Sequence, residues 1–309
     1  MKILFFGSDT FAIPSLRILH ASSSHKIIGV VTQPDKPAGR GREITPCPIA
    51  DLAKELDLPL LQPAKIQEES VIQELLNLKA DVLAVVAYGK FLPQSLIDKT
   101  RYKAVNLHPS LLPKYRGASP IQTAILNGDA KTGVTTMMVS SEMDAGDLYL
   151  QCETDIDPVE TAEGLEARLA EAGAHLILKT LEGLEKKTLK STPQDPKKII
   201  LTHKITKEDG QINWNESAET LYNKLRAYTP WPGLFCHVNE KILKIFEAAP
   251  MENNSKEKPG TVLDNKDGLI IRCNKSALCL LEVQLEGKKR MGVAEFLKGH
   301  PLIIGTQLK

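Results

Sequence analysis

The sequence predicts an α/β domain with a doubly wound, mostly parallel sheet, followed by a small β-barrel of the OB-like type. Two patterns predict this order. Continuous apolar runs alternate with helix-spaced segments through about the first 185 residues, and short strands separated by turn residues follow. Strands that are apolar throughout are typical of parallel sheets covered by helices on both faces. The length of 309 residues suits two domains with separate cores.

The strands and helices of the first half follow from the spacing of the apolar residues. Residues 3–6 form a short apolar run that ends at Gly7, and residues 11–19 then show helical spacing. Further strands are predicted at 27–32, 82–86 and 104–107, with helical patterns between the last two, and further helices at 48–56 and 161–184. Residues 134–139 form another apolar run. The long last helix is expected to complete the first domain.

The second half has a different pattern. Pro193 and Pro196 indicate a linker within residues 191–198. Beyond it, a helix is predicted at 218–228 and short strands at 235–238, 242–248, 261–263, 269–272 and 278–283. Such a series of short strands suits a small closed barrel, of which the OB-fold is a common form. We therefore expect domains at 1–189 and 208–309, joined by a linker at 190–207.

The charges balance over the whole chain but not within its halves. The 39 Lys and Arg and 38 Asp and Glu give a net charge of +1, which argues against a strongly basic nucleic-acid binder. Residues 1–185, however, carry 18 basic and 24 acidic residues, a net of −6, and residues 186–309 carry 21 and 14, a net of +7. Solvated surface lysines are one explanation. Their concentration beyond the predicted boundary favours an anionic partner for the second half.

Several classes of protein are disfavoured by the sequence. The five cysteines are an odd number without a CxxC pair, and the histidines are not clustered, which argues against a disulfide framework and a zinc knuckle. We expect no metal. Asp9 interrupts the first apolar run before a signal peptide is complete, and no stretch approaches the roughly 20 apolar residues of a membrane span. A reduced cytoplasmic protein with no membrane partner is expected.

Three polar residues are candidates for catalysis. Asn106 and His108 lie at the carboxyl end of a predicted strand, where open α/β sheets bind ligands, and strand alternation places them on the same side. Asp144 follows in a turn that contains Gly146. An amide can stabilise an oxyanion, an imidazole can transfer protons, and a carboxylate can orient and charge the imidazole. These groups suit acyl transfer to an amine, although a structural histidine and a turn-forming aspartate are the alternatives.

Two segments are distinctive together: residues 106–117, NLHPSLLPKYRG, and residues 144–147, DAGD. They resemble the signature of the formyltetrahydrofolate-dependent formyltransferases. The resemblance implies that Asn106, His108 and Asp144 are the catalytic trio and that 10-formyltetrahydrofolate is the formyl donor. It further implies a folate site at Ser110, Leu111, Leu112 and Pro113. The sequence leaves open whether His108 or Asp144 takes the first proton.

The acceptor is suggested by three further segments. Relatives in this family formylate a purine precursor, a sugar nucleotide or the amino group of methionyl-tRNA, and one domain hydrolyses the donor. The loop 32–42, with Arg40 and Arg42, and the segments 204–214 and 228–233 are similar to the members that act on methionyl-tRNA. The resemblance implies an initiator methionyl-tRNA partner, with both arginines at its acceptor end and the basic barrel on its backbone.

Two other functions are kept as alternatives: a sugar-nucleotide N-formyltransferase that uses the same donor, and a non-catalytic RNA-binding protein. A loop rich in Gly and Arg has little use in a sugar-nucleotide N-formyltransferase. The intact catalytic trio argues against a non-catalytic RNA-binding protein. A monomer is expected. Trp214 and Trp231 are expected to pack in a core or a domain junction rather than stack on bases.

Overall fold

The computed structural model describes residues 1–38, 43–266 and 268–309, which form two compact units. The first unit comprises Met1–Gly117, Thr132–Asp155 and Glu166–Thr202. The second comprises Ala118–Lys131, Ile156–Leu165 and His203–Lys309. The boundaries predicted from the sequence stay a prediction.

The elements up to residue 202 include every strand and helix predicted in this half, each with its ends within two residues of the predicted bounds. In chain order they are β1 (Lys2–Gly7), α1 (Ile13–Ala21), β2 (Lys26–Val31), β3 (Lys36–Ala38), β4 (Glu43–Thr45), α2 (Pro48–Glu55), β5 (Leu60–Leu61), α3 (Glu69–Asn77), β6 (Val82–Val86), α4 (Gln94–Asp98), β7 (Ala104–His108), β8 (Arg116–Gly117), α5 (Pro120–Leu126), β9 (Lys131–Met138), β10 (Leu148–Asp155), α6 (Ala162–Glu185) and β11 (Leu201–Thr202). The strand β10 and the short strands β3, β4, β5, β8 and β11 were not predicted.

The main sheet of the first unit has the strand order β10-β9-β7-β6-β1-β2-β5. The strands β5, β2, β1, β6 and β7 are parallel neighbours, and β9 is antiparallel to β7. From β1 the chain moves outward through β2 to β5 and then returns to β6 on the other side of β1. The doubly wound, mostly parallel sheet is thus confirmed. This reversal of strand order lies between β1 and β6, and ligands of such sheets bind at the carboxyl ends near it, where β6 and its neighbour β7 also end.

The central strands form because their sequences are apolar on both faces. All five residues of β6 are buried, as are Ile3–Phe6 of β1, and Leu4, Phe6 and Leu83 belong to one core with Leu75 of α3 and Leu96 of α4. Helices cover both faces of a parallel sheet, so a polar residue in either strand would be buried without solvent. This packing fixes the carboxyl ends of β6 and β7.

The segment predicted as a linker is hydrogen-bonded to the first unit as far as Thr202. The backbones of Thr192 and Leu148 exchange two hydrogen bonds of 2.8 Å. Further along, β11 pairs with β8 in parallel, with Leu201 opposite Arg116. Residues 192–202 therefore lie along the part of the unit that carries residues 116–117 and the connection between β9 and β10.

After residue 202 the elements are α7 (Ala218–Ala227), β12 (Leu234–Val238), β13 (Lys241–Glu252), β14 (Val262–Asp264), β15 (Leu269–Arg272), β16 (Ser276–Leu285), β17 (Met291–Gly292) and α8 (Val293–Gly299). The strands form an antiparallel sheet with the order β12-β13-β16-β15-β14, and β17 pairs with β16. The apolar faces of α7 and the strands share one core, which includes Leu221, Leu243 and Leu280.

Both edges of this half-barrel are hydrogen-bonded by the residues 305–309. Lys309 exchanges backbone hydrogen bonds with His237 of β12, at 2.6 and 3.2 Å. On the other edge, Leu308 donates to the carbonyl of Gly260 and Val262 of β14 donates to Thr306, both at 2.8 Å. An edge strand exposes unpaired backbone groups, and these contacts satisfy them. The prediction of a small OB-like barrel domain is confirmed, with irregular chain in place of a strand at the closure.

One of the two tryptophans contradicts the expectation of packing. Trp214 is buried in the core of the second unit, whereas Trp231 is 58% exposed. Trp231 lies in a turn that the hydrogen bond from Gly233 N to Tyr228 O closes at 2.8 Å. Pro230 and Pro232 flank Trp231 in the sequence, and its indole does not belong to the core of the second unit.

His25 makes stability depend on pH. Its side chain is buried, and Nδ1 lies 3.3 Å from the N-terminal amino group and 3.7 Å from Oε2 of Glu185. Burial, and then the positive N-terminus, lower the pKa of His25 below its ordinary value. As pH falls through about 6.5, the unfolded chain gains a proton that the folded chain does not accept, so stability is lost toward acid.

We therefore expect the urea midpoint of the wild type to fall more between pH 7.5 and 5.5 than that of His25→Asn. The exposed His20 of α1 provides the matched control, since His20→Asn should retain the wild-type pH dependence. Equal pH dependence in all three proteins would contradict the account of His25.

Candidate active site

His108 is the last residue of β7, which lies between β6 and β9 in the sheet. The side chain is buried, and its Nε2 lies 2.9 Å from the carbonyl oxygen of Tyr115. A carbonyl oxygen can only accept a hydrogen bond, so Nε2 is the nitrogen that carries the hydrogen. In the neutral ring Nδ1 is consequently unprotonated and is the atom that can accept a proton.

Asp144 faces that nitrogen from the connection between β9 and β10. Its Oδ2 lies 3.6 Å from Nδ1 of His108 and accepts a hydrogen bond of 2.9 Å from the backbone N–H of Gly117. Asp144 has a φ of +51°, in the left-handed region that aspartate tolerates better than most residues. The distance to Nδ1 suits an ion pair once the imidazole is protonated, but is too long for a hydrogen bond.

Three consecutive residues hold the pair from the other side. Tyr115 accepts the hydrogen bond of the imidazole, and Gly117 donates to the carboxylate. Between them, the side chain of Arg116 is buried, and its Nη1 lies 3.7 Å from Oε1 of Glu142. Residues 115–117 therefore fix both the ring orientation of His108 and the position of the Asp144 carboxylate.

Asn106 occupies β7 two residues before His108. Its backbone pairs with Val85 of β6 and Met137 of β9, and its side chain is partly exposed. Because side chains alternate along a strand, Asn106 and His108 lie on the same side of the sheet. The structure thus brings His108 and Asp144 together and places Asn106 beside them on the same strand.

The predicted folate segment, Ser110 to Pro113, directly follows β7. Thr135 of β9 holds it, because its hydroxyl donates to the Ser110 carbonyl at 2.6 Å and accepts from the Leu112 N–H at 3.2 Å. Gln151 of β10 donates to the Leu112 carbonyl at 2.8 Å. Ser110 and Leu112 are buried, while Leu111 and Pro113 are partly exposed. The segment is a fixed, partly apolar rim that is suited to a flat ring system.

Tyr88 follows β6 at the same edge of the sheet. Its ring is buried and contacts Phe6 edge-on at 5.4 Å, and its hydroxyl has no hydrogen-bond partner among the residues that the structure describes. Burial raises the pKa of Tyr88 to about 12. The phenol therefore stays neutral near pH 7.

Two residues predicted to contact tRNA, Arg40 and Arg42, fall outside the described residues.

Within the described ranges, no group of three or more His, Cys, Asp or Glu side chains is placed to hold a metal ion. The same ranges contain no helix with the length and apolarity required to cross a bilayer.

Sequence reasoning missed the residues that support the pair. The backbone groups of Tyr115 and Gly117 carry no side-chain signal, although both residues lie in the distinctive segment 106–117. Thr135 and Gln151 lie in β9 and β10, and their contacts follow only from the pairing of those strands. A polar residue inside an apolar run, such as Thr135, was the one available signal.

Family models match both halves of the chain. A model described as formyl transferase matches residues 1–181, and one described as formyl transferase, C-terminal domain, matches residues 204–301. These matches define a formyl transferase with a second domain.

The methionyl-tRNA formyltransferase of Caldanaerobacter subterraneus subsp. tengcongensis is 40% identical over 310 residues, with 100% of both chains covered. That of Citrifermentans bemidjiense is 39% identical, covering 100% of this chain and 96% of the relative. The chain therefore belongs to the formyl transferase family, in its methionyl-tRNA formyltransferase branch.

Solved structures share the fold at lower identity. HypX from Aquifex aeolicus in complex with tetrahydrofolic acid has a TM-score of 0.62 at 20% identity, and this chain spans half the length of HypX. An N-formyltransferase from Helicobacter canadensis in complex with folinic acid and dTDP-3-aminofucose has a TM-score of 0.65 at 17% identity, with 91% of this chain and 99% of that chain covered. At these identities the likeness shows a common fold.

Proposed function

We propose that this chain transfers the formyl group of 10-formyltetrahydrofolate to the α-amino group of methionine on initiator methionyl-tRNA, for translation initiation. The observation that best supports this proposal is the distance of 3.6 Å between Oδ2 of Asp144 and Nδ1 of His108 at the carboxyl end of β7. The acceptor is supported by full-length relatives at about 40% identity that are named methionyl-tRNA formyltransferases.

His108 is proposed to take the proton that the attacking amine loses. Tyr115 keeps the hydrogen of the neutral ring on Nε2, so Nδ1 has the lone pair that can accept it. Protonation then gives an imidazolium whose new N–H faces the Asp144 carboxylate. Opposite charges at this distance in a mostly buried site stabilise each other, which favours the protonated ring at the moment of bond formation.

Asn106 is proposed to stabilise the negative charge that develops on the formyl oxygen. Its side-chain amide can donate a hydrogen bond, and its place on β7 brings it to the same side as His108. When the bond between the formyl carbon and N10 of the donor breaks, N10 must receive a proton. The imidazolium of His108 can return the proton that it took, which balances the reaction without a metal.

The donor is proposed to lie against Ser110, Leu111, Leu112 and Pro113. The formyl group of the donor is attached to a nitrogen atom, which is the leaving group of the transfer. The contacts of Thr135 and Gln151 keep the backbone of this segment fixed, and the segment begins two residues after His108. A donor ring held there would present its formyl group to Asn106 and His108.

The tRNA is proposed to be held by the second half of the chain. Residues 186–309 carry the net charge of +7, which suits contact with phosphates. In this proposal residues 1–189 form the catalytic domain, 190–207 connect it, and 208–309 form the tRNA-binding domain. We further infer a cytoplasmic monomer; light scattering of the purified chain at the mass of a dimer would contradict the monomer.

Arg40 and Arg42 are proposed to contact the acceptor end of the tRNA. We expect Arg40→Ala and Arg42→Ala each to lower kcat/KM for methionyl-tRNA by about 10- to 100-fold, the loss typical of one charged contact to a phosphate or base. The KM for the donor should not change, as measured in initial-rate assays with each substrate varied.

Arg17→Ala is the control for that measurement. Arg17 is an exposed arginine of α1 that pairs with Glu55 at 3.2 Å. Normal formylation by Arg40→Ala and Arg42→Ala, or an equal loss in Arg17→Ala, would show that the loop assignment is wrong.

A direct comparison of acceptors tests the proposed function. The chain is incubated with 10-formyltetrahydrofolate and either methionyl initiator tRNA or an amino sugar nucleotide, and the formylated products are measured. Formylation of the tRNA and not of the sugar is expected. Formylation of the sugar alone would identify a sugar-nucleotide N-formyltransferase, and binding of tRNA without any product would identify a non-catalytic RNA-binding protein.

A further inference from the structure

The segment after α6 lies along the turn that carries Asp144. Besides the two backbone hydrogen bonds between Thr192 and Leu148, the hydroxyl of Ser191 donates to Oδ2 of Asp147 at 3.2 Å. Asp195 ends this stretch and accepts from the backbone N–H of Lys197 at 3.0 Å. The backbone before Gln194 is therefore fixed against this turn by Ser191 and Thr192.

The side chain of Gln194 uses its whole hydrogen-bonding capacity. Its Nε2 donates to the carbonyl oxygens of Asp144 and Gly146, both at 2.8 Å. Its Oε1 accepts from Nε and Nη2 of Arg116, at 3.0 and 2.9 Å. A guanidinium only donates and the two carbonyls only accept, so the orientation of the amide is unambiguous. An amide has two hydrogens and two lone pairs, and each of them has a partner.

These contacts join the two parts of the chain that hold the reacting pair. On one side, the carbonyls of Asp144 and Gly146 belong to the turn that presents the carboxylate. On the other side, Arg116 lies between the residues that contact the imidazole and the carboxylate of the pair. Without Gln194, the described links from residues 115–117 to the connection between β9 and β10 would be the hydrogen bond from Gly117 to Oδ2 of Asp144 and the ion pair of 3.7 Å between Arg116 and Glu142.

We propose that Gln194 is a positioning residue for formyl transfer: by bridging the backbone of the Asp144 turn to Arg116, it sets the distance between the Asp144 carboxylate and Nδ1 of His108. The inference rests on the proposed function. The Asp144 carboxylate and Nδ1 of His108 are 3.6 Å apart, so a shift of the turn by about 1 Å is enough to weaken their interaction. Misplacement of catalytic groups on that scale lowers the rate about 100-fold.

Two substitutions separate the contacts of Gln194. Gln194→Leu removes all four hydrogen bonds. Gln194→Glu retains the length of the side chain and its acceptors for Arg116, but a carboxylate cannot donate to the carbonyls of Asp144 and Gly146. Steady-state kinetics with initiator methionyl-tRNA should show kcat lowered about 10- to 100-fold in both variants, with KM for either substrate within about threefold of the wild type.

Asp195→Ala is the matched control. It removes the side chain of the neighbouring residue of the same segment, whose described contacts are to Lys197 and Lys198 rather than to the Asp144 turn. We expect its kcat and KM to equal those of the wild type, whereas a general loosening of the segment would lower kcat in Asp195→Ala as well. All assays are run well below the melting temperature of each variant, as determined by thermal unfolding.

The outcomes separate this inference from the proposed function. Wild-type kcat in either Gln194 variant, or an equal loss of kcat in Asp195→Ala, would overturn the positioning role while the wild type still formylates tRNA. A large rise in KM with kcat unchanged would also overturn it, since that pattern indicates a binding role. Absence of formylation by the wild type would contradict the proposed function itself.

Discussion

His108→Ala and Asp144→Asn are each expected to lower kcat for formyl transfer by about 1,000- to 10,000-fold. General acid and base catalysis contributes roughly 100- to 10,000-fold, and removal of the imidazole also removes the charge that Asp144 faces. Asp144→Asn retains the shape of the side chain and its ability to accept from Gly117, but takes away the negative charge near Nδ1. The loss should therefore appear in kcat, while the Kd for methionyl-tRNA stays within about threefold.

Two controls on the same unit show whether those losses are specific. Asp147→Asn makes the same chemical change three residues along the same turn, where the carboxylate accepts from Ser191 rather than facing His108. His175→Ala removes an exposed histidine from α6. Single-turnover rates of both should match the wild type. Wild-type rates in His108→Ala or Asp144→Asn would dismiss the proton-transfer mechanism.

The second large effect is expected from Gly146→Ala. A Cβ at Gly146 would lie 1.8 Å from the carbonyl oxygen of Met138 and 2.8 Å from its carbon, and both are backbone atoms of β9 that cannot rotate away. The turn and the strand are also tied by the hydrogen bond of 2.8 Å from Met138 N to Asp147 O. The added methyl must push the turn off the strand, at a cost of about 3 kcal/mol in stability.

This displacement should affect activity as well as stability, because the same turn carries Asp144. Urea unfolding gives the change in the free energy of unfolding, and kcat is measured at 25 °C on the folded fraction.

Gly164→Ala in α6 is the control, with the opposite expected effect on stability. Its Cβ would meet no atom closer than 3.5 Å, so alanine in the helix should stabilise the chain by about 0.5 to 1 kcal/mol. A Gly146→Ala variant as stable as the wild type would contradict the described packing of this turn.

The elements of the fold were predictable because their sequences are apolar at the correct period. The strand β6 is apolar at every position and buried at every position, and the helix α6 begins and ends within one residue of its predicted bounds. The strand β10 was missed because most of its residues are partly or fully exposed, which gives no continuous apolar run. Trp231 was misjudged because the size of an indole predicts burial, whereas the turn that carries it has no interior.

The candidate catalytic residues were easier to predict from the sequence than the residues that hold them in place. Asn106 and His108 stand out because they follow an apolar strand two positions apart, and Asp144 stands out once it is read together with that segment. Gln194 lies 50 positions from Asp144 in a stretch predicted as a linker, and its role depends on a chain path that no local pattern encodes. The contacts of Tyr115 and Gly117 use backbone atoms, which every residue possesses.

The most direct test of the central claim follows the formyl carbon. The chain is incubated with 10-formyltetrahydrofolate labelled in that carbon and with methionyl initiator tRNA, the ester bond to the tRNA is hydrolysed, and the labelled product is identified. We expect the label in N-formylmethionine, with one molecule formed for each tetrahydrofolate released. Recovery of the label as free formate, or no label on methionine at saturating donor and tRNA, would contradict the claim.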